Sequence, residues 1–214
     1  MARGKLIAFC GGEGAGKTTQ IHLLAERLSS HGVAVLATRE PGGTPEGQAL
    51  RQLLLTGAAG RWEPVAEALL MVADRVQHLA RTIRPALAAG THVLSDRYAY
   101  STLCYQGAGQ GVSTAFLNKL HRQACGDLWP DLTIILDLDP EIGIGRSQHR
   151  LAATAAAEDR FESLGIEFHR RVRAAFLDLA AAGPAPAAVV DAARPVAAVA
   201  AEIETLVDRL LRNA

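Results

Sequence analysis

The chain has 214 residues, with 22 basic and 22 acidic side chains and a formal net charge of zero. That balance excludes a broadly basic nucleic-acid-binding surface and an acidic tail, although local arginine clusters can still take phosphate. Hydrophobic residues make up 49% and aromatic residues 5%, which predicts one α/β domain over residues 1–214 with a core of Ala, Leu, Val and Ile.

The three cysteines, Cys10, Cys104 and Cys125, have neither metal-ligand spacing nor a disulfide framework. Without a signal peptide or a long apolar run, they point to a reducing cytosol and no membrane span. The seven histidines are scattered, with no His-Glu-x-x-His pattern.

Lys5 to Phe9 reads as a buried strand, too short for a helix. It leads into Gly11-Gly12-Glu13-Gly14-Ala15-Gly16-Lys17-Thr18, the spacing of a phosphate loop, followed by Thr19. Glycines let the backbone turn its N–H groups toward phosphate oxygens, and the next helix adds its positive end. Lys17 is placed to reach the β- and γ-phosphates and Thr18 to ligate Mg²⁺, which arrives with ATP. A ligand-free Gly-rich turn is the bland alternative. The helix runs from Lys17 to Ser30, with Ile21, Leu24 and Leu28 at helical spacing and Gly32 as its stop. Val33 to Ala37 is the second strand, so the chain starts as a right-handed crossover toward a parallel sheet.

Thr38-Arg39-Glu40-Pro41-Gly42-Gly43-Thr44 follows at the carboxyl end of that strand, where ligands of open α/β sheets gather. Arg39 is either a solvated loop residue or an anion ligand there. A helix is expected over Gly47 to Leu55, and a long one over Glu67 to Ile83 with a broad apolar face. Arg75 lies in that second helix, four residues after Met71, so the two share a face. His92 to Ser95 is the third strand, followed by Asp96-Arg97-Tyr98 and then Ser101 to Gly107. Gly107, Gly109 and Gly111 predict a flexible connection. Ser113 is placed to cap a helix over Thr114 to Cys125.

Leu132 to Leu136 is the fourth strand, and Pro140 suits the first turn of a helix. Residues 146–160 are polar, then Ala-rich, and contain Arg146, Arg150 and Arg160. High helix propensity alone could make this a surface segment. Glu162 to Ala182 predicts a long helix, Ala187 to Val190 a fifth strand, and Pro195 opens a last amphipathic helix.

These motifs, in this order, resemble the thymidylate kinase family over nearly the whole chain. Thr38 to Thr44 is similar to that family's Thr-Arg-Glu-Pro-Gly-Gly-Thr signature, and Asp96-Arg97-Tyr98 with Ser101 to Gly107 to its Asp-Arg-Tyr and Ser-Thr-x-Ala-Tyr-Gln-Gly motifs. The resemblance implies a P-loop nucleoside-monophosphate-kinase-like fold with a five-stranded parallel sheet and helices on both faces. It further implies phosphoryl transfer from ATP to dTMP, giving ADP and dTDP for dTTP biosynthesis, by a cytoplasmic homodimer that binds neither nucleic acid nor membrane.

The residue roles implied by the resemblance are specific. Arg39 binds the dTMP phosphate, Arg75 the thymine carbonyl, and Pro41 follows a cis peptide bond. Glu13 takes the acceptor's sugar hydroxyl, so one loop holds both substrates. Asp96 holds Mg²⁺ through water, and Arg97 binds phosphates at the transfer point. Thr102 and Gln106 face the thymidine, while Tyr105 crowds the sugar 2′ position. Residues 146–160 form a lid. Gly14 stands where some members place a catalytic arginine, so Arg150 supplies that charge from the lid, with Arg146 and Arg160 in support. Ala192 and Arg194 lie beside adenine. The chain departs from the family at Met71, where Phe is usual, and at Cys10, where Glu is common. Those departures leave two rivals: a same-family kinase for another or modified deoxynucleoside monophosphate, and a nucleotide-binding regulator without turnover.

Overall fold

The computed structural model describes residues 3–154 and 160–212, with side chains described outside 150–154. The strands are β1 (Leu6–Gly11), β2 (Val35–Arg39), β3 (His92–Asp96), β4 (Leu132–Asp137) and β5 (Ala187–Asp191). They form one sheet in the order β2-β3-β1-β4-β5, and every neighbouring pair is parallel. All five carboxyl ends therefore open on one edge of the sheet, on which the phosphate loop also lies.

Alternation along β1 separates two cores, because successive side chains of a strand point to opposite faces. Ile7 and Phe9 pack with α1 (Lys17–Ser30) and α9 (Val196–Arg212), through Leu24, Val199 and Ile203. Leu6, Ala8 and Cys10 face the other side. There the cover is α3 (Pro64–His78), α5 (Ala99–Thr102), α6 (Thr114–Cys125) and α8 (Ile166–Ala182). Two caps expected or explicable from sequence are present. Thr44 accepts from the Gly47 N–H at the start of α2 (Pro45–Leu55), and Ser113 accepts from the Phe116 N–H at the start of α6.

Several boundaries differ from the sequence reading. β1 continues past Phe9 to Gly11, because β4 pairs with it as far as Gly11 and Leu136. The helix over α3 continues through a π-helical turn, Leu79–Ile83, into α4 (Arg84–Ala88). The expected flexible glycine connection is instead a second π-helical stretch, Leu103–Gly109, prolonging α5. Its glycine has a packing cause: a Cβ at Gly109 would lie 2.4 Å from the Phe168 ring of α8. Glycine here permits close approach rather than motion. Helix α7 (Pro140–Thr154) carries Arg146, and α8 begins at Ile166 rather than Glu162. Residues 160–164 are held in turns, with the Leu164 N–H donating to the Phe161 carbonyl at 3.1 Å.

The core accounts predict an asymmetric response along α9. Ile203, 1% exposed, should cost about 2–5 kcal/mol when truncated to Ala. Val196, 54% exposed on the same helix, should change stability by no more than about 0.5 kcal/mol. Urea unfolding without nucleotide measures both, and equal losses would contradict this packing.

Candidate active site

The phosphate loop joins β1 to α1, and its lysine turns back over it. Lys17 Nζ donates to the Gly12 and Gly11 carbonyls at 2.7 and 3.2 Å. Burial and the nearby Arg97 lower its ammonium to about 8, with Glu13 and Asp96 opposing. A polyphosphate in the loop would supply the missing negative partners. The Thr18 hydroxyl donates to Asp96 Oδ2 at 2.8 Å, so the end of β3 meets the start of α1. Gly14 has φ +63°, and a Cβ there would lie 2.1 Å from the Gly143 carbonyl oxygen of α7. The loop thus has no room for a side chain at 14, arginine included.

Arg97 is fixed by its backbone as much as by its side chain. Its φ is 70°, a left-handed conformation uncommon outside glycine, and its N–H donates to the Phe9 carbonyl at 2.8 Å. The guanidinium then donates to Gly11 O at 3.2 Å and to Glu13 Oε1 at 2.8 Å, and lies 4.8 Å from the Tyr105 ring centroid. Tyr105 donates its hydroxyl to the same Glu13 oxygen at 2.7 Å. Burial alone would raise the Glu13 carboxyl, but Arg97, Lys17 and the Tyr105 hydroxyl outweigh it and hold it near 2. Burial likewise pushes the Tyr105 phenol up.

A second network stands between β2 and α3. Glu40, 4% exposed, accepts from Arg75 Nε at 2.8 Å and pairs with His78 Nδ1 at 3.1 Å. A carboxylate accepts only, so His78 donates from Nδ1, and its Nε2 lies 2.7 Å from the Thr38 hydroxyl. Arg75 Nη2 donates to Thr102 Oγ1 at 3.0 Å. The Glu40–Pro41 peptide bond is cis, as the resemblance implies. Asp74 Oδ1 accepts from the Gly42 N–H at 3.0 Å, while buried Oδ2 has no partner among the described residues. Burial and the Glu40 carboxylate raise the Asp74 carboxyl to about 6.

Three adjoining cavities open at this edge. The first, about 300 Å³, is lined by Glu13, Arg39, Met71, Arg75, Tyr105 and Gln106, together with Thr102. The second, about 510 Å³, lies over the phosphate loop and shares Glu13, Thr18, Arg39 and Arg97 with the first. The third, about 360 Å³, gathers Thr19, Arg146, Ala192 and Arg194 beside Gly14 to Gly16. Arg39 is exposed, its guanidinium 3.4 Å from Gln48 Oε1. Apart from Gly11, Gly12, Arg150 and Arg160, the sequence-predicted site residues all line one or more of these three cavities.

Arg160 does not belong with the lid cations: it is 1% exposed and ion-paired with buried Glu67. Each of its three guanidinium nitrogens donates to a group inside the protein, and it lines neither the cavity over the phosphate loop nor the third cavity. The Arg150 side chain lies outside the described residues. Cys10 is wholly buried, with Sγ 3.8 Å from the Ser101 hydroxyl, and is a core contact beneath the loop. Sequence reasoning passed over Glu40, Arg51, Phe161 and Glu162, which also line the first cavity. The signal for Phe161 was an isolated aromatic after the Ala-rich run.

A family model described as thymidylate kinase matches residues 9–203. The chain belongs to the thymidylate kinase family. It is 56% identical over 191 residues to a thymidylate kinase of Cereibacter sphaeroides, covering 89% of this chain and 88% of that one. It is 48% identical over 207 residues to a thymidylate kinase of Caulobacter vibrioides, covering 97% of each. The crystal structure of an Ehrlichia chaffeensis thymidylate kinase superimposes with a TM-score of 0.76 at 31% identity, covering 96% of this chain and 99% of that one. Membership makes the chain a nucleoside-monophosphate kinase, a phosphotransferase on the P-loop kinase fold. No helix among the described residues is long and apolar enough to cross a membrane.

Asp74 gives this family member a pH signature. Its folded carboxyl sits near 6, against 3.8 unmodified, so the native state binds the extra proton. Stability from this group is therefore lost as pH rises from about 4 through 6, by up to about 3 kcal/mol. Asp74→Asn cannot titrate and keeps an acceptor for Gly42. Its stability relative to the parent should rise by about 2–3 kcal/mol between pH 4 and pH 8, measured by denaturant unfolding. A pH-independent difference would contradict the buried-carboxylate account.

Proposed function

We propose that the chain transfers the γ-phosphoryl group of ATP to dTMP, giving ADP and dTDP. The observation that carries this reading is the Glu13–Arg97–Tyr105 cluster. It belongs to the phosphate loop through Glu13 and to the acceptor cavity through Tyr105, so two phosphorylated ligands would meet across one arginine. Transfer to a phosphate oxygen needs little covalent chemistry from protein, and positioning with charge stabilisation suffices.

In this reading Gly11 to Gly16 and Thr19 cradle the triphosphate, and Lys17 leaves two backbone carbonyls for phosphate oxygens. Arg146, Ala192 and Arg194 border the adenine end. Arg39 takes the acceptor phosphate, and Arg97 spans the transfer point. Arg75 and Thr102, already bonded to each other, present donors to the base, and Met71 covers it with an apolar thioether. Glu13 and Tyr105 bind and crowd the sugar. The lid, residues 146–160, supplies Arg150 as the cation over the transferring group.

Mg²⁺ fits the hard oxygens of Thr18 and Asp96, which lie within hydrogen-bond distance of each other and would hold it, Asp96 through water. When bound it neutralises charge developing on the transferred phosphoryl group. The same reading places the enzyme in the cytosol as a homodimer. A binder without turnover would have no use for a second cavity bearing Arg39, Arg75 and Arg97.

The test is an acceptor panel in a coupled ADP-release assay with ATP and Mg²⁺. The specificity constant for dTMP should far exceed those for dUMP, dCMP and dGMP. Arg97→Ala should lower kcat by about 10²–10³-fold, the scale of one lost charge-stabilising donor. No ADP from the folded parent protein with dTMP would overturn the assignment.

A further inference from the structure

A fully buried arginine is costly unless its guanidinium is paired and hydrogen-bonded. At the junction of α2 and α3 each of the three Arg160 guanidinium nitrogens has an acceptor. Nε donates to the Leu54 carbonyl, Nη1 to Ala59 O at 3.2 Å, and Nη2 to Glu67 Oε2. The Arg160 N–H reaches Leu55 O at 3.3 Å, and the guanidinium lies 4.5 Å from the Phe161 ring centroid. Glu67 is 0% exposed, and its other oxygen, Oε1, accepts from Gln106 Nε2 at 2.6 Å and Gln110 Nε2 at 2.8 Å.

This arrangement decides which way the Gln106 amide faces. A carboxylate can only accept, so Gln106 must turn its NH₂ toward Glu67. What remains is Oε1, which no hydrogen bond occupies among the described residues, on a side chain that lines the acceptor cavity. An acceptor oxygen there selects a ligand N–H. Thymine carries a hydrogen on ring nitrogen N3, whereas cytosine presents a bare nitrogen at the same place.

We propose that Arg160, acting through Glu67, is a positioning residue that locks the Gln106 amide with its oxygen toward the acceptor base, making N3–H a condition of binding. The proposal rests on the dTMP reading above and assigns Arg160 to base selection rather than to the lid's contact with ATP. Arg160 holds the charge of Glu67 in place. Glu67 orders two amides, and Gln110 braces the carboxylate from the far side. With Gln at position 67 either a donor or an acceptor can face Gln106, and the amide is free to flip.

Calorimetry with dTMP and with dCMP on the full-length protein reads the amide directly, alongside the KM for ATP and the melting temperature. Glu67→Gln, which keeps the shape of the buried side chain, should narrow the dTMP-over-dCMP affinity ratio tenfold or more. Arg160→Met should do the same, while the ATP KM stays within twofold. In a Gln106→Leu background, Glu67→Gln should narrow the ratio no further, because the reporter amide is gone. A folded Glu67→Gln protein with an unchanged ratio would reduce the chain to a purely structural contact and overturn the proposal. So would a raised ATP KM with an unchanged ratio, which would return Arg160 to the lid. If the parent protein turns over neither pyrimidine, the functional reading falls and this inference with it; turnover of dTMP with an unchanged ratio removes this inference alone.

Discussion

The half-buried Glu13–Arg97 pair is the interaction on which the site depends. Glu13 belongs to the turn between β1 and α1, and Arg97 to the end of β3, so their contact ties two loops of the sheet edge at one point. Removing one partner of this half-buried pair would leave the other charge uncompensated, which is why neither residue can be treated as a lone ligand. The pair also joins the first cavity to the one over the phosphate loop. Glu13, Arg39 and Arg97 line both the first cavity and the one over the phosphate loop, so charge placed in either would be felt in the other.

The backbone makes the pair possible. β1 lies between β3 and β4, and its Phe9 carbonyl takes the Arg97 N–H. That bond holds Arg97 in a left-handed conformation that would otherwise be costly, and turns its side chain toward the loop. Around this fixed centre the fold permits close approach where ligands and helices need it. Gly14 lets α7 press on the phosphate loop, and Gly109 lets α8 press on the helix that carries Tyr105 and Gln106. Glycine serves packing at both positions. The neighbouring Glu40–Arg75–His78 network fixes the acceptor side in the same manner, with each carboxylate oxygen given its own donor.

Much of this was legible in sequence because its signals are local. The phosphate loop, the Thr38 to Thr44 turn and the run from Asp96 to Gln106 each carry their chemistry within a few residues. Strand and helix periods gave the five strands and most helices for the same reason. What was not legible depends on distant partners. Arg160 read as a lid cation because its own neighbourhood is arginine- and alanine-rich, and its true partner, Glu67, lies 93 residues away. Gly107 and Gly109 read as a flexible link, since nothing local announces Phe168. Glu40 stood inside a recognised motif, yet its burial against Arg75 and His78 appears only when β2 and α3 are packed together.

Calorimetry on Glu13→Gln tests most directly whether one loop carboxylate serves the acceptor as well as the loop. dTMP should bind at least tenfold more weakly than to the parent protein, while a non-hydrolysable ATP analogue with Mg²⁺ loses less than threefold. An unchanged dTMP affinity with weakened binding of the ATP analogue would contradict the account, because Glu13 would then belong to the triphosphate alone.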